Sequence, residues 1–179
     1  MIAERVQGSA ISGARAPDVL AMDVPVGHDA VRVALQGWRR WIEGVNACSD
    51  LVSRAEIVLA EVLNNITEHG FAEQEGVLLP IAVHCRMSGR GLHVMVVDKG
   101  RPVPADRCLA AVLPPVSLVT QDMDSLPEGG FGWCLIRELT CDLSLVSDGS
   151  GNRLCFVVPL GKPGSLADPV APATPARPA

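Results

Sequence analysis

Glu61 and Asn65 stand four residues apart in the run Glu61-Val62-Leu63-Asn64-Asn65, which continues as Ile66-Thr67-Glu68-His69-Gly70. On a helix, residues four apart share one face about one turn apart. A carboxylate can take a proton or orient a nucleophile, and an amide oxygen can ligate a hard cation such as Mg²⁺. Two glycine-containing runs follow in order: Asp98-Lys99-Gly100-Arg101-Pro102 and Glu128-Gly129-Gly130-Phe131-Gly132. Asp98 can accept a hydrogen bond from an exocyclic amine such as adenine N6. Gly100, with no side chain, would let a flat base lie against the backbone. Gly130 and Gly132 would let backbone N–H groups approach phosphates, and a helix starting there would favour their charge.

The elements that must position these residues are legible as hydrophobic periods. Val19 to Pro25 alternates weakly and reads as a strand. Val31, Ala34, Leu35, Trp38, Trp41, Ile42 and Val45 recur by threes and fours, which predicts a helix over His28–Val45. A second helix starts near Ser49 or Asp50, both good N-caps, carries Leu51, Ala55, Val58, Leu59, Val62, Leu63 and Ile66 inward, and stops at Gly70. Glu61, Asn65 and Glu68 fall together off its apolar stripe. Ile81, Val83, Cys85 and Met87 share one strand face. Leu92, Val94, Val96 and Asp98 share another, with Ser88-Gly89-Arg90-Gly91 as the hairpin link. Asp98 therefore ends a buried face, as either a strand-terminating turn residue or a recognition group.

Arg101 to Gly130 holds five prolines and little period. A structureless stretch of that length inside a domain is usually a functional lid or a disordered segment. Arg107 to Val112 could add one or two helical turns within it, capped by Asp106. Phe131–Thr140 reads as a helix with Leu135, Ile136 and Leu139 inward. Leu143–Ser147 and Leu154–Pro159 read as a closing hairpin turned by Asp148-Gly149-Ser150-Gly151-Asn152. Residues 1–17 read as a mobile arm, 18–161 as one domain, and 162–179, with five prolines and five alanines, as a disordered tail.

Composition narrows the function classes. The 179 residues are 48% hydrophobic, enough for one domain with a sizeable core and too apolar for a disordered chain. A net charge of −5 and the lack of a basic stripe with interleaved aromatics argue against direct nucleic-acid binding. No run of 18 apolar residues suggests a membrane span, and the N-terminus has no signal-like apolar stretch. The six cysteines form no Cys-x-x-Cys and read as reduced, mostly buried thiols of a cytoplasmic protein. His84, Cys85 and His93 do not complete a tetrahedral zinc set.

The order Glu-x-x-x-Asn, Asp-x-Gly-x-Pro, Gly-x-Gly resembles the ATP-binding domain shared by gyrase, a heat-shock chaperone, histidine kinases and MutL. Within that superfamily the chain is most similar to bacterial anti-sigma-factor serine/threonine kinases. Asn65, His69 and Gly70 at the helix end carry that similarity, as do the Gly129–Ile136 run, the entry Cys141-Asp142-Leu143-Ser144-Leu145 and the Gly151-Asn152-Arg153-Leu154 turn. The resemblance covers about residues 18–160. It implies an α/β (α+β) two-layer sandwich, a mostly antiparallel mixed sheet with helices on one face.

It also implies ATP and Mg²⁺ as ligands and a serine of a small anti-anti-sigma (STAS-type) protein as phosphoryl acceptor. A sigma factor would be the second partner, and the family often dimerises. Glu61 would be the general base, or would orient the acceptor hydroxyl. Asn65 would ligate Mg²⁺ and Asp98 would read adenine. Gly100, Gly129, Gly130, Phe131 and Gly132 would shape the nucleotide site. Few side chains suffice, because phosphoryl transfer needs mainly positioning and charge neutralisation.

Two positions depart from the pattern. Glu128 stands where some members carry an arginine, which leaves Arg101 and Arg107 as the basic residues of the lid. Asn152 stands where related ATPases often place a threonine near adenine. Two other readings remain: a non-catalytic ATP-binding anti-sigma or adaptor module, and a histidine-kinase-like catalytic domain acting in trans.

Overall fold

The computed structural model describes residues 17–71, 79–103 and 131–161. The element order is β1 (Val19–Val24), α1 (His28–Gly44), α2 (Ser49–Asn65), β2 (Ile81–Ser88), β3 (Gly91–Asp98), α3 (Phe131–Leu139), β4 (Cys141–Asp148) and β5 (Gly151–Pro159). A π-helical turn, Ile66–Gly70, extends α2. The strands form one five-stranded sheet in the order β1-β2-β3-β5-β4, and every pairing between them is antiparallel. The parallel component allowed for by a mixed sheet does not occur among the described residues. The predicted arm up to residue 16, the prolines and short helix of the lid beyond Val103, and the Pro/Ala-rich tail lie outside them.

The two-layer sandwich follows from strand alternation. Inward residues of the sheet (Val24, Ile81, Val83, Cys85, Leu92, Val94, Val96, Leu154, Phe156 and Val158) form one core with the helices. The helices contribute Val31, Trp38 and Ile42 from α1, Leu51, Val58, Leu59 and Leu63 from α2, and Ile136 from α3. Alternate residues on the strands, such as His84, Arg86 and Arg153, are exposed. Cys85 is buried while its neighbour His84 is exposed, so the two side chains leave opposite faces of β2 and do not converge on one ion.

Local chemistry explains the boundaries, and corrects some expectations. Cys48, not Ser49 or Asp50, occupies the N-cap of α2, and its carbonyl accepts from Val52 N at 3.0 Å. Asp50 is engaged instead by Arg54 one turn on, at 2.9 and 2.8 Å. Arg54, 9% exposed, also donates from its guanidinium to Pro159 O at 2.9 Å, which ties α2 to the end of β5. Gly70 does not stop the helix in a left-handed conformation; the chain widens into the π turn, a feature that often marks functional sites. The hairpin after β4 is tighter than the sequence suggests. Gly149 and Ser150 alone make the turn, so Asn152 is a strand residue paired with Asp98 and only 3% exposed. The five described cysteines are free, but only Cys85 and Cys134 are buried; Cys48 is exposed.

Candidate functional site

The face of α2 that carries Glu61 and Asn65 is covered by the start of α3. A Cβ built on Gly132 would lie 2.6 Å from Glu61 Oε2 and 3.3 Å from Asn65 Nδ2, so any larger residue there must push the Glu61 carboxylate aside. Glu61 and Asn65 are both half-buried. Asn65 Nδ2 is buried and has no hydrogen-bond partner among the described residues. Such an atom is costly unless something else pairs with it.

Asn65 lines a cavity of about 210 Å³ together with Val62, His69, Gly70, Asp98 and Asn152, and with Trp133 and Leu154 on its apolar side. The π turn, the end of β3, the start of β5 and α3 thus converge on one recess. Pockets for small ligands are typically apolar with a few placed polar groups, and this recess has that make-up.

Asp98 is 3% exposed and sits at the end of β3. Burial pushes its carboxyl above the ordinary aspartate value, while hydrogen bonds from Asn152 and the Gly100 amide and the charge of Lys99 pull it back down. Both bonds fall on Oδ1: Gly100 N donates at 2.8 Å and Asn152 Nδ2 at 2.8 Å. Gly100 is packed more tightly than its sequence context suggests. A Cβ there would meet Gly70 O at 2.8 Å, Asp98 Oδ1 at 2.9 Å and Gly70 C at 2.9 Å. Glycine is required by the packing of this strand end on the π turn. The Arg101 N–H then donates to Gly70 O at 2.8 Å and closes the contact.

Asn152 is the residue sequence reasoning undervalued. Its Nδ2 donates to Asp98 Oδ1 and to Arg101 O at 2.9 Å, and its Oδ1 accepts from Ser147 Oγ at 2.6 Å and Val103 N at 3.2 Å. The signal was present: Asp98 ends an inward strand face, and a polar residue opposite it in the next strand is a natural partner. Glu61 lies beside this recess, against Gly132, rather than in its wall. Gly129 and Gly130 lie outside the described residues, as does Glu128. Phe131 opens α3, and its side chain is not among those described.

The arrangement is a buried carboxyl at the floor of a mostly apolar recess. An amide with an unpaired nitrogen stands at its wall, and a carboxylate lies next door at a helix start. Among the described residues no helix is long and apolar enough to cross a membrane.

Comparison with known proteins bears on this geometry. The chain is 24% identical over 144 residues to Blue-light-activated histidine kinase 2 of Erythrobacter litoralis (strain HTCC2594), covering 78% of this chain and 35% of that protein. It superposes on the crystal structure of the RsbU and RsbW domains of Rv1364c from Mycobacterium tuberculosis with a TM-score of 0.51. There the identity is 15%, over 78% of this chain and 32% of that one. The chain thus spans about a third of the length of either protein. The second likeness is one of fold. The profile of the histidine kinase-like ATPase domain matches residues 24–158, three quarters of the sequence, and the chain therefore belongs to that ATP-binding family.

Proposed function

We propose that this chain is an ATP-dependent serine/threonine protein kinase of the anti-sigma type. It would phosphorylate a STAS-type anti-anti-sigma protein and sequester a sigma factor, and so switch between two partners. The observation that carries the reading is the meeting of Glu61, Asn65 and Gly132 beside the recess floored by Asp98. A carboxylate, an amide and a helix start converge where a nucleotide seated in the recess would place its phosphates.

In this reading Asp98, its Oδ1 already engaged, receives the exocyclic amine of adenine on Oδ2. Trp133, Val62 and Leu154 cover the base and exclude water. The first turn of α3 offers its amides to the phosphates, and Gly132, with Gly129 and Gly130, allows that approach. The Asn65 amide fits a bound polar ligand, since its nitrogen is buried without a partner. Asn65 would hold Mg²⁺ through its amide oxygen, and the ion would neutralise phosphate charge when bound. Glu61 accepts the proton of the acceptor serine or orients its hydroxyl.

The likeness in sequence to a histidine kinase favours a second reading, a catalytic domain that phosphorylates a histidine in trans. One experiment separates the two. The purified chain is incubated with γ-labelled ATP, Mg²⁺ and either a STAS-type protein or a histidine phosphoacceptor domain, each encoded near it. The kinase reading expects acid-stable label on serine, lost in Glu61→Ala while ATP binding persists. Acid-labile label on histidine supports the alternative. Binding of ATP and partner without transfer to either leaves an adaptor.

A further inference from the structure

The amide of Asn152 is oriented without ambiguity. Two donors, Ser147 Oγ and Val103 N, point at its Oδ1, and two acceptors, Asp98 Oδ1 and Arg101 O, receive its Nδ2. Turning the amide over would set its carbonyl against a carboxylate and a second carbonyl, and its NH₂ against two donors. Asn152 is therefore a donor toward Asp98, and Asp98 Oδ1 can only accept. The same amide fixes the backbone at Arg101 and Val103, the stretch that leaves the strand end just after Gly100. From these contacts we propose that Asn152 is a positioning residue that selects adenine over guanine. It holds Asp98 as a fixed acceptor and clamps the strand end to the recess. The inference rests on the ATP-site reading given above and deepens it.

The chemistry of selection is direct. Oδ1 is filled by two donors, both of which favour the ionised form, so Oδ2 is the acceptor left for the amine at adenine C6. In the same pose guanine turns its own acceptor, O6, onto that carboxylate and leaves the buried group unpaired. A polar group left unpaired in a buried site costs binding roughly tenfold to hundredfold. Asn152 lines the recess beside Asp98, but its two amide hydrogens and its carbonyl oxygen are all engaged within the protein, so it acts through the acid rather than on the base.

Replacing the amide by an acid gives a signature that loss of packing would not. In Asn152→Asp two carboxylates stand within hydrogen-bond reach and share one proton at low pH. While that proton is held, the new carboxyl donates to Asp98 as the amide does. When it leaves, both acids are charged and repel, and Asp98 loses its setting. Nucleotide affinity of this variant therefore falls as pH rises. Among the described residues, the other charged or titratable groups facing Asp98 are Lys99 beside it, and Arg101 and His69 around the recess. Each variant is accordingly read as a ratio to the unsubstituted chain at the same pH, which cancels their contribution.

The test is calorimetric titration of the full chain with ATP and with GTP, both with Mg²⁺, from about pH 6 to about pH 8.5. The expected result is an unsubstituted protein that prefers ATP. Asn152→Asp should match it within a few-fold at low pH and lose roughly tenfold or more at high pH. Asn152→Leu should weaken ATP at every pH and shrink the ATP-to-GTP ratio. Ser147→Ala, which removes one donor to the amide and leaves the strand pairing intact, should shrink that ratio by a smaller factor. It covers the case in which the Asn152 variants fail to fold. Equal losses for ATP and GTP, or an Asn152→Asp ratio flat with pH, would overturn the role of Asn152 alone. No ATP binding by the unsubstituted chain would remove the site and this role together.

Discussion

Gly132→Ala should separate chemistry from folding at this site. The added methyl would sit 2.6 Å from Glu61 Oε2 and 3.3 Å from Asn65 Nδ2. To reach an ordinary van der Waals separation the carboxylate must retreat by roughly 1 Å. It is the far end of a flexible, half-buried side chain, so the retreat is cheap for the fold. Alanine in the first turn of α3 also recovers some helix propensity, up to about 1 kcal/mol relative to glycine. The two terms nearly cancel, and Tm should move by no more than about 2–4 °C in either direction. Catalysis is less forgiving, because a misplacement of about 1 Å can cost on the order of a hundredfold in rate. The assays are a thermal melt, an ATP isotherm and the rate of transfer from labelled ATP to the cognate acceptor. The expected outcome is a native melt with transfer reduced roughly a hundredfold. A variant with wild-type transfer would refute the placement of Glu61 against α3. A collapsed melt would refute the claim that the contact is soft.

Further outcomes follow from other contacts. Gly100→Ala meets backbone rather than a flexible tip, so overpacking plus one lost hydrogen bond should cost about 2–4 kcal/mol and lower Tm by about 5–15 °C. Gly37→Ala, in the middle of α1 with only the Arg40 guanidinium nearby at 4.0 Å, should raise Tm slightly, by about 0.5–1 kcal/mol of helix propensity, in the same melting assay. The Asp98 carboxyl is raised by burial, so the unfolded chain ionises first as pH climbs, and Asp98's contribution to stability is complete below its unfolded pKa and declines up to its folded one. Asp98→Asn keeps the Oδ1 acceptor without the buried charge. Its melting temperature minus that of wild type should increase as pH rises through that window, while ATP binding is lost; a difference that falls with rising pH contradicts the assignment. Burial pushes the Cys85 thiol up to about 12, so alkylation of the native protein followed by mass spectrometry should modify exposed Cys48 and spare Cys85 until the chain is unfolded.

The architecture was written in the chain wherever one element's own period decided it. Val31, Trp38 and Ile42 mark α1, Val58, Leu59, Val62 and Leu63 mark α2, and each of these side chains is buried. Strand alternation placed Asp98 on an inward face, where it is found. What periodicity could not supply were facts made by distant parts of the chain. Gly100 is glycine because Gly70, thirty residues earlier, crosses it; nothing local announces that. Ile66 completes the apolar stripe of α2 and nothing in Thr67–Gly70 marks a wider turn, so Ile66–Gly70 reads as ordinary helix. Asn152 sits in a glycine-rich stretch that reads as a loop, and only the tight Gly149-Ser150 turn returns it to the sheet opposite Asp98. Glu61 and Asn65 were legible as a pair, but their meeting with Gly132 depends on how α3 packs on α2.

The central claim is that the recess floored by Asp98 and flanked by Asn65 and Gly132 receives ATP with Mg²⁺. The most direct measurement is thermal unfolding of the full chain against increasing ATP·Mg²⁺, with Asp98→Ala alongside. Ligand at a hundredfold over Kd adds about 2.7 kcal/mol, which should raise Tm by about 5–10 °C for the unsubstituted protein. The Asp98→Ala chain should show little or no rise. An unsubstituted protein whose Tm stays flat to millimolar ATP·Mg²⁺, or an Asp98→Ala chain that shifts equally, would contradict the account.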